Sequence, residues 1–398
     1  MAELFKNTSQ TIKGKSMKKL LLFILFSTSV FSQKTVMSFD SKVLGESREI
    51  TIGLPLSLEK NPEKKYPILI LLDGDYLFDP FYSALKYGAH WDEMPETIIV
   101  GISQNKNNDR YNDCKYDDED GVPSEKGAQF FEFIGAELLP YIEQKYPVAP
   151  FRIIAGHDTT AGFLNFFLYK DNPIFNSYIS LGTELAPYMN DRIPERLSKI
   201  KKPVFYYHSN GGGDLKEIQI ALKNLDSKIK QLTNPLLNYK FDNFAGASHF
   251  SLVLHSIPNA LYHVFDSYKP ISSTEYNEKI AVLSSGYVDY LDNKYDVLYK
   301  NLGVKIPVRL NDFKAIETAI LKNKYYSDLD KLAEVASKHY PKSMLGDYEL
   351  GLMYEKMEDF KRAAKRYQTA SQLEEVGDLT KNMMMEKYED MTIKIPKK

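Results

Sequence analysis

The chain has 398 residues, of which 43% are hydrophobic and 26% charged, with a formal net charge of −2. That composition fits a globular protein of two domains, or one large domain with an extension, and a core this size needs no disulfide or metal staple. The near-neutral balance gives nucleic acid or an anionic membrane no electrostatic case as partner, and the single cysteine, Cys114, excludes an intramolecular disulfide and a cysteine metal cluster.

In chain order, the first feature is "MKKLLLFILFSTSVFSQ" from Met17. Two lysines precede an apolar run, Leu20 to Phe26, and Val30 and Ser32 fit the positions before a cleavage at Gln33. The run is too short for a comfortable membrane-spanning helix. Residues 1–32 are therefore expected to be an upstream extension and a signal peptide. The mature chain is then periplasmic or secreted, with no membrane association after cleavage near Ser32/Gln33. An uncut N-terminal anchor is the alternative.

Residues 33–270 alternate between short β-like runs and helical stretches. "REITIGLPL" (Arg48–Leu56) alternates apolar and polar residues, as a half-exposed strand does. "YPILILLDGD" (Tyr66–Asp75) and "ETIIVGIS" (Glu96–Ser103) are continuously apolar, as buried parallel strands are. "GAQFFEFIGAELLPYIEQKY" (Gly127–Tyr146) has helical apolar spacing. "FRIIAG" (Phe151–Gly156), "FNSYISLG" (Phe175–Gly182), "KPVFYYHS" (Lys202–Ser209) and "LNYKFDNF" (Leu237–Phe244) read as four more strands. Strands separated by helices imply an α/β fold, a mostly parallel sheet covered on both faces. Ligands in such sheets bind beyond the carboxyl ends of the strands. Asp73–Asp75, Asp158 and the stretches after Ser209 and Phe244 are expected to meet there.

Residues 271–398 read as helical. "YELGLMYEKMEDFKRAAKRYQTASQL" (Tyr348–Leu373) places Leu350, Gly351, Tyr354, Ala363, Tyr367 and Ala370 at tetratricopeptide-repeat spacing. One such repeat cannot bury its own face. It is expected to pack on the first domain, on neighbouring helices, or on a protein partner. The acidic "DDEDG" (Asp117–Gly121) fails the EF-hand template and reads as a solvated loop.

"RIIAGHDTTAGFLN" (Arg152–Asn165) carries the chemistry. An apolar strand enters a tight turn and a small-residue helix leaves it, which is how a G-x-S-x-G elbow presents its nucleophile. Here the apex is Asp158. With "YPILILLDGDYLF", "MPETIIVGISQNKNNDRYND", "FFEFIGAELLPYIEQKYPVAPFRIIAGH" and "GASHFSLVLHSIPNALYHVF" in this order, residues 40–268 resemble the putative-esterase family of α/β-hydrolases, which includes esterase D and the enterochelin esterases. The resemblance implies an α/β-hydrolase fold and cofactor-free hydrolysis of a small-molecule ester or acyl substrate. His249 matches the family's base. Asp214 matches the acid that orients it, with Glu217 in reserve. The backbone N–H groups of Asp75 and Thr159 match the oxyanion-hole donors, and Asp158 stands where the family has its nucleophilic serine. Each has a plainer reading: Asp214 can simply cap the helix that follows, and His157, His208 and His255 read as packing residues. No HxH or HExxH spacing suggests a metal.

An aspartate attacking an acyl carbon would form a mixed anhydride, with the carboxylate the better leaving group, so a plain Ser-to-Asp exchange does not preserve esterase chemistry. Aspartate does suit attack at an sp³ carbon, as in haloalkane dehalogenases and epoxide hydrolases. Those enzymes follow the aspartate with an aromatic and insert a cap domain where this chain has a short segment, Gly182 to Lys202. Two options remain. Asp158 can act as a general base on water with His249. Otherwise the site is dead, the carboxylate filling the oxyanion hole and pairing with protonated His249, and the chain is a non-catalytic binding protein using its cleft and helical region. Thr160, in a slot that normally lacks a bulky side chain, favours the dead site, and Tyr76, Phe78 and Trp91 are the candidates to plug it.

Overall fold

A computed structural model describes residues 34–396, so the predicted extension and signal peptide lie outside the described residues. Eight strands form one sheet in the order β1-β2-β4-β3-β5-β6-β7-β8. They are β1 (Lys34–Ser41), β2 (Glu46–Gly53), β3 (Tyr66–Leu71), β4 (Ile98–Ile102), β5 (Val148–His157), β6 (Ser177–Leu181), β7 (Val204–Gly211) and β8 (Leu237–Phe244). β2 pairs antiparallel with β1 and β4, and the other pairings are parallel. Every residue of β3, β4, β6 and β7 is buried, because helices cover both faces and leave these strands no solvent side.

One face of the sheet packs Ile68, Ile70, Ile154 and Tyr206 against the segment Glu125–Lys145 and the helix Met189–Ser198. That segment is helical throughout but widens to a π-turn over Phe133–Leu138. The other face packs Leu69, Leu71, Ile153 and Tyr207 under two helices. These are α1 (Gly74–His90) and the helix Leu252–Val264. Among the described residues, no helix is long and apolar enough to cross a membrane.

Beyond Ser273 the chain is helical. The helix Tyr287–Leu302 sends Leu298 and Leu302 into the second of these cores. Arg309 fixes the same junction, stacking 4.6 Å over Tyr268 and pairing with Asp92. The segment with repeat-like spacing forms helices Leu345–Lys356 and Phe360–Ala370. They close on each other at Gly351, where a Cβ would lie 2.6 Å from the Tyr367 ring. Their apolar face is buried against neighbouring helices of the same region, from Leu310–Lys322 through Lys381–Lys394.

Glu349 is fully buried in these helices. Burial, and then the nearby Glu317, raise its carboxyl well above the ordinary 4.5, so the folded chain keeps that proton. A raised folded value contributes stability at pH below the unfolded value, and this is lost as pH rises toward the folded one. Glu349→Gln, neutral and of the same shape, is expected to reduce that decline, the part due to the likewise raised Glu317 remaining. Urea melts at a series of pH values above 4.5 check it, wild type weakening with pH more steeply than the variant.

Candidate active site

β5 ends at His157, and a short helix, Thr159–Phe163, begins two residues later. Asp158 alone makes the turn, with φ 60° and ψ −119°. That region is strained for a residue with a β-carbon and is typical of functional apices. The surrounding small residues have a steric cause. A Cβ on Gly156 would lie 2.8 Å from Thr160 Oγ1, and one on Gly162 only 2.1 Å from the Glu184 carbonyl oxygen. Thr160 does not crowd the turn as the sequence suggests. It is fully buried, accepts the His157 N–H at 3.0 Å, and donates its hydroxyl to Asp73 Oδ2 at 2.6 Å.

Asp214 and His249 come from the exits of β7 and β8. The Asp214 carboxylate is buried and accepts the Gly211 N–H at 2.7 Å. Its other oxygen lies 2.5 Å from His249 Nδ1. His249 Nε2 lies 3.8 Å from Asp158 Oδ1, and both side chains are 24% exposed. Glu217, the reserve acid, sits on the exposed first turn of the next helix (Lys216–Ile229). Burial alone would raise the Asp214 carboxyl, but the His249 and Gly211 hydrogen bonds outweigh it and hold the group below its ordinary value. The hydrogen bond to Asp214 pushes His249 above 6.5; burial opposes this and the Asp158 charge adds to it.

The other side of Asp158 is an arginine that the sequence reading did not single out. Arg110 Nη1 donates to Asp158 Oδ2 at 3.3 Å. The rest of its fork is committed to Asp73 Oδ1 (2.7 Å), Asp73 Oδ2 (3.3 Å) and the His157 carbonyl (2.8 Å). Asp73 is buried just before α1, with φ 51°. When His249 is protonated, five charges alternate in sign along Asp73, Arg110, Asp158, His249 and Asp214.

The amides of Asp75 and Thr159 lie in the first turns of their helices, where backbone N–H groups have no intrahelical partner. Among the described residues, the Asp158 carboxylate takes its hydrogen bond from Arg110 and not from those amides, the Thr159 hydroxyl lying 3.4 Å from Asp158 but only 2.9 Å from Glu184. Tyr76 is spent on Asp73 and His157, Phe78 is buried against Tyr82, and Trp91 lies at the far end of α1. Beside the apex is a recess of about 10 Å³, lined by Tyr116, Thr159, Phe163 and Glu184. A far wider cleft, about 890 Å³, opens away from Asp158, along Asn259, His263, Glu275 and Lys294. His157 bonds Tyr76 and the His249 carbonyl, His208 is buried against Tyr239, and His255 stacks on Phe244. No group of three or more His, Cys, Asp or Glu among the described residues is placed to hold a metal ion.

A strand order with one antiparallel edge, an apex residue on a strained strand-to-helix turn and a histidine-acid pair at the exits of β7 and β8 define an esterase-like α/β-hydrolase fold. Residues 41–187 match the family model described as "Putative esterase". Among solved structures, an uncharacterised protein from Capnocytophaga ochracea DSM 7271 is 30% identical, with a TM-score of 0.83, over 91% of this chain and 100% of that one. An IroE-like serine hydrolase from Shewanella oneidensis is 20% identical, with a TM-score of 0.59, over 77% and 99%. The BES protein from Bacillus cereus is 22% identical, with a TM-score of 0.50, over 58% and 96%. No curated protein matches the chain. The chain belongs to one family with the Capnocytophaga ochracea protein.

Proposed function

We propose that the chain is an exported hydrolase of small-molecule esters that works without an acyl-enzyme, through Asp158, His249 and Asp214. The observation that carries this is the geometry at the elbow: His249 lies 2.5 Å from Asp214 by one ring nitrogen and 3.8 Å from Asp158 by the other. The order Asp158, Asp214, His249 along the chain is that of nucleophile, acid and base in α/β-hydrolases.

Asp158 takes a proton from water as it attacks the ester carbonyl. The oxyanion forms against the amides of Asp75 and Thr159. Protonated His249, steadied by Asp214, gives its proton to the leaving alkoxide as the C–O bond breaks. Asp158 then holds the water-derived proton and returns it to His249. The products are one carboxylic acid and one alcohol, and no step calls for a metal or cofactor. The C-terminal helices carry no catalytic group in this scheme.

A second reading, a non-catalytic binding protein, is favoured by the alternating charges, which set the Asp158 carboxylate between Arg110 and His249. A panel of p-nitrophenyl and alkyl esters, assayed with wild type, His249→Ala and Asp158→Ser, separates the two. Turnover by wild type that vanishes in His249→Ala supports the hydrolase. A silent wild type with activity gained in Asp158→Ser supports the binding protein. The pH profile adds a signature. An acid role needs His249 protonated, so wild-type kcat on alkyl esters is expected to fall as pH rises through the raised His249 value. Asp158→Ser, which needs neutral His249 as base, is expected to rise with pH instead, and over a lower range because the Asp158 charge that helps raise His249 is gone.

A further inference from the structure

We infer that Arg110 is a positioning residue that fixes the Asp158 carboxylate, and that Arg110 and His249 together form a carboxylate-binding seat which Asp158 occupies as a tethered ligand. The inference deepens the proposed hydrolase reading and rests on it for its catalytic meaning, though not for its geometry.

Most of the guanidinium has no freedom. Nε and Nη2 are held by the buried Asp73 carboxylate, and Nη2 also by the His157 carbonyl. Asp73 is itself held: Tyr76 donates to it at 2.9 Å, Thr160 donates at 2.6 Å, and its N–H donates to Gln104 Oε1 at 3.0 Å. One nitrogen, Nη1, is left pointing at the apex, 3.3 Å from Asp158 Oδ2. His249 Nε2 approaches the opposite oxygen. The two groups face the two carboxylate oxygens from different elements, Arg110 within hydrogen-bond reach and His249 at 3.8 Å as an ion-pair partner when protonated, so together they favour one side-chain rotamer on a backbone that the turn already fixes. A lysine cannot do this, because a single ammonium cannot serve Asp73 and Asp158 along two fixed directions.

If the seat exists without its tenant, it will take a free carboxylate. Asp158→Gly empties it without straining the turn, since glycine tolerates positive φ. The probe is formate, with neutral formamide as control, read by thermal melting and by turnover of an alkyl ester. Formate is expected to raise the melting temperature of Asp158→Gly in a concentration-dependent way, while leaving wild type unmoved; formamide is expected to move neither. Adding Arg110→Gln to Asp158→Gly is expected to weaken formate binding about tenfold or more. Because Arg110→Gln alone orphans buried Asp73, the same comparison is made with Arg110→Gln and Asp73→Asn together. Equal formate binding with and without Arg110, or none to Asp158→Gly, overturns the inference. Turnover is a separate outcome. Formate that binds and restores hydrolysis supports both readings, whereas formate that binds to Asp158→Gly while wild type itself turns over no ester leaves the seat standing and removes the hydrolase.

Discussion

His249→Ala is expected to lower kcat on alkyl esters by about 10²- to 10⁴-fold, the usual contribution of a positioned acid-base group, with KM little changed. The side chain is one-quarter exposed and its ring is held by one short bond to Asp214, so its loss opens no core cavity. The penalty therefore falls on the chemical step, and steady-state kinetics of the purified chain measure it. Stability responds separately. His249 has a raised folded value, so its contribution is present at pH below 6.5 and is lost as pH rises through that folded value. The variant, which also leaves the buried Asp214 carboxylate without its ring partner, is thus expected to lose more stability in mild acid than in mild alkali. An equal loss of stability at all pH values would mean that His249 is a packing residue.

The largest stability effect is expected at Asp113→Ala. Asp113 ends the short helix Asp109–Asp113 with no exposed side-chain surface, and it meets Arg48 of β2 at 2.5 and 3.1 Å. Removing Asp113 leaves the buried Arg48 guanidinium with only the partly exposed Glu46 carboxylate, 2.6 Å away, as counter-charge, so the cost is expected at the lower end of the about 3–5 kcal/mol of a broken buried pair. Urea denaturation should show this as a lower midpoint at unchanged slope. Arg48→Met with Asp113→Leu removes both charges and is expected to recover most of the loss. The damage also reaches the site. Asp113 accepts the Gln104 amide at 2.9 Å, and the Gln104 carbonyl takes the Asp73 N–H. With Asp113 gone, the anchor that aims Arg110 is loosened, so kcat should fall as well. A stable, fully active Asp113→Ala would disconnect that ion pair from both fold and site.

The parallel strands were legible because burial on both faces makes them continuous apolar runs; "YPILIL" and "IIVGI" announce themselves. The edge strand β1, "KTVMSFDS", is mostly exposed and went unread. The π-turn at Phe133–Leu138 was hidden within ordinary helical spacing. At the site, Asp158, Asp214 and His249 were readable because each follows a strand exit, and the sheet gathers such exits. Arg110 was quoted within "NNDRYND" but assigned no role. Its partners Asp73 and Asp158 lie 37 and 48 positions away, and nothing local in the sequence signals a fork shared between two carboxylates. Thr160 misled for a related reason. Size was legible, but the inward turn of the hydroxyl toward Asp73 depends on a residue 87 positions distant.

The carboxylate at the apex also decides how this chain would look to a chemist surveying hydrolases. Organophosphorus and sulfonyl fluoride reagents mark serine enzymes because the serine oxygen forms an adduct that survives in water. An Asp158 oxygen would give an acyl phosphate or an acyl sulfonate instead, mixed anhydrides that water reopens. Such a reagent would leave no lasting tag, and a survey that counts tagged proteins would pass over this chain however fast it turned over its own substrate.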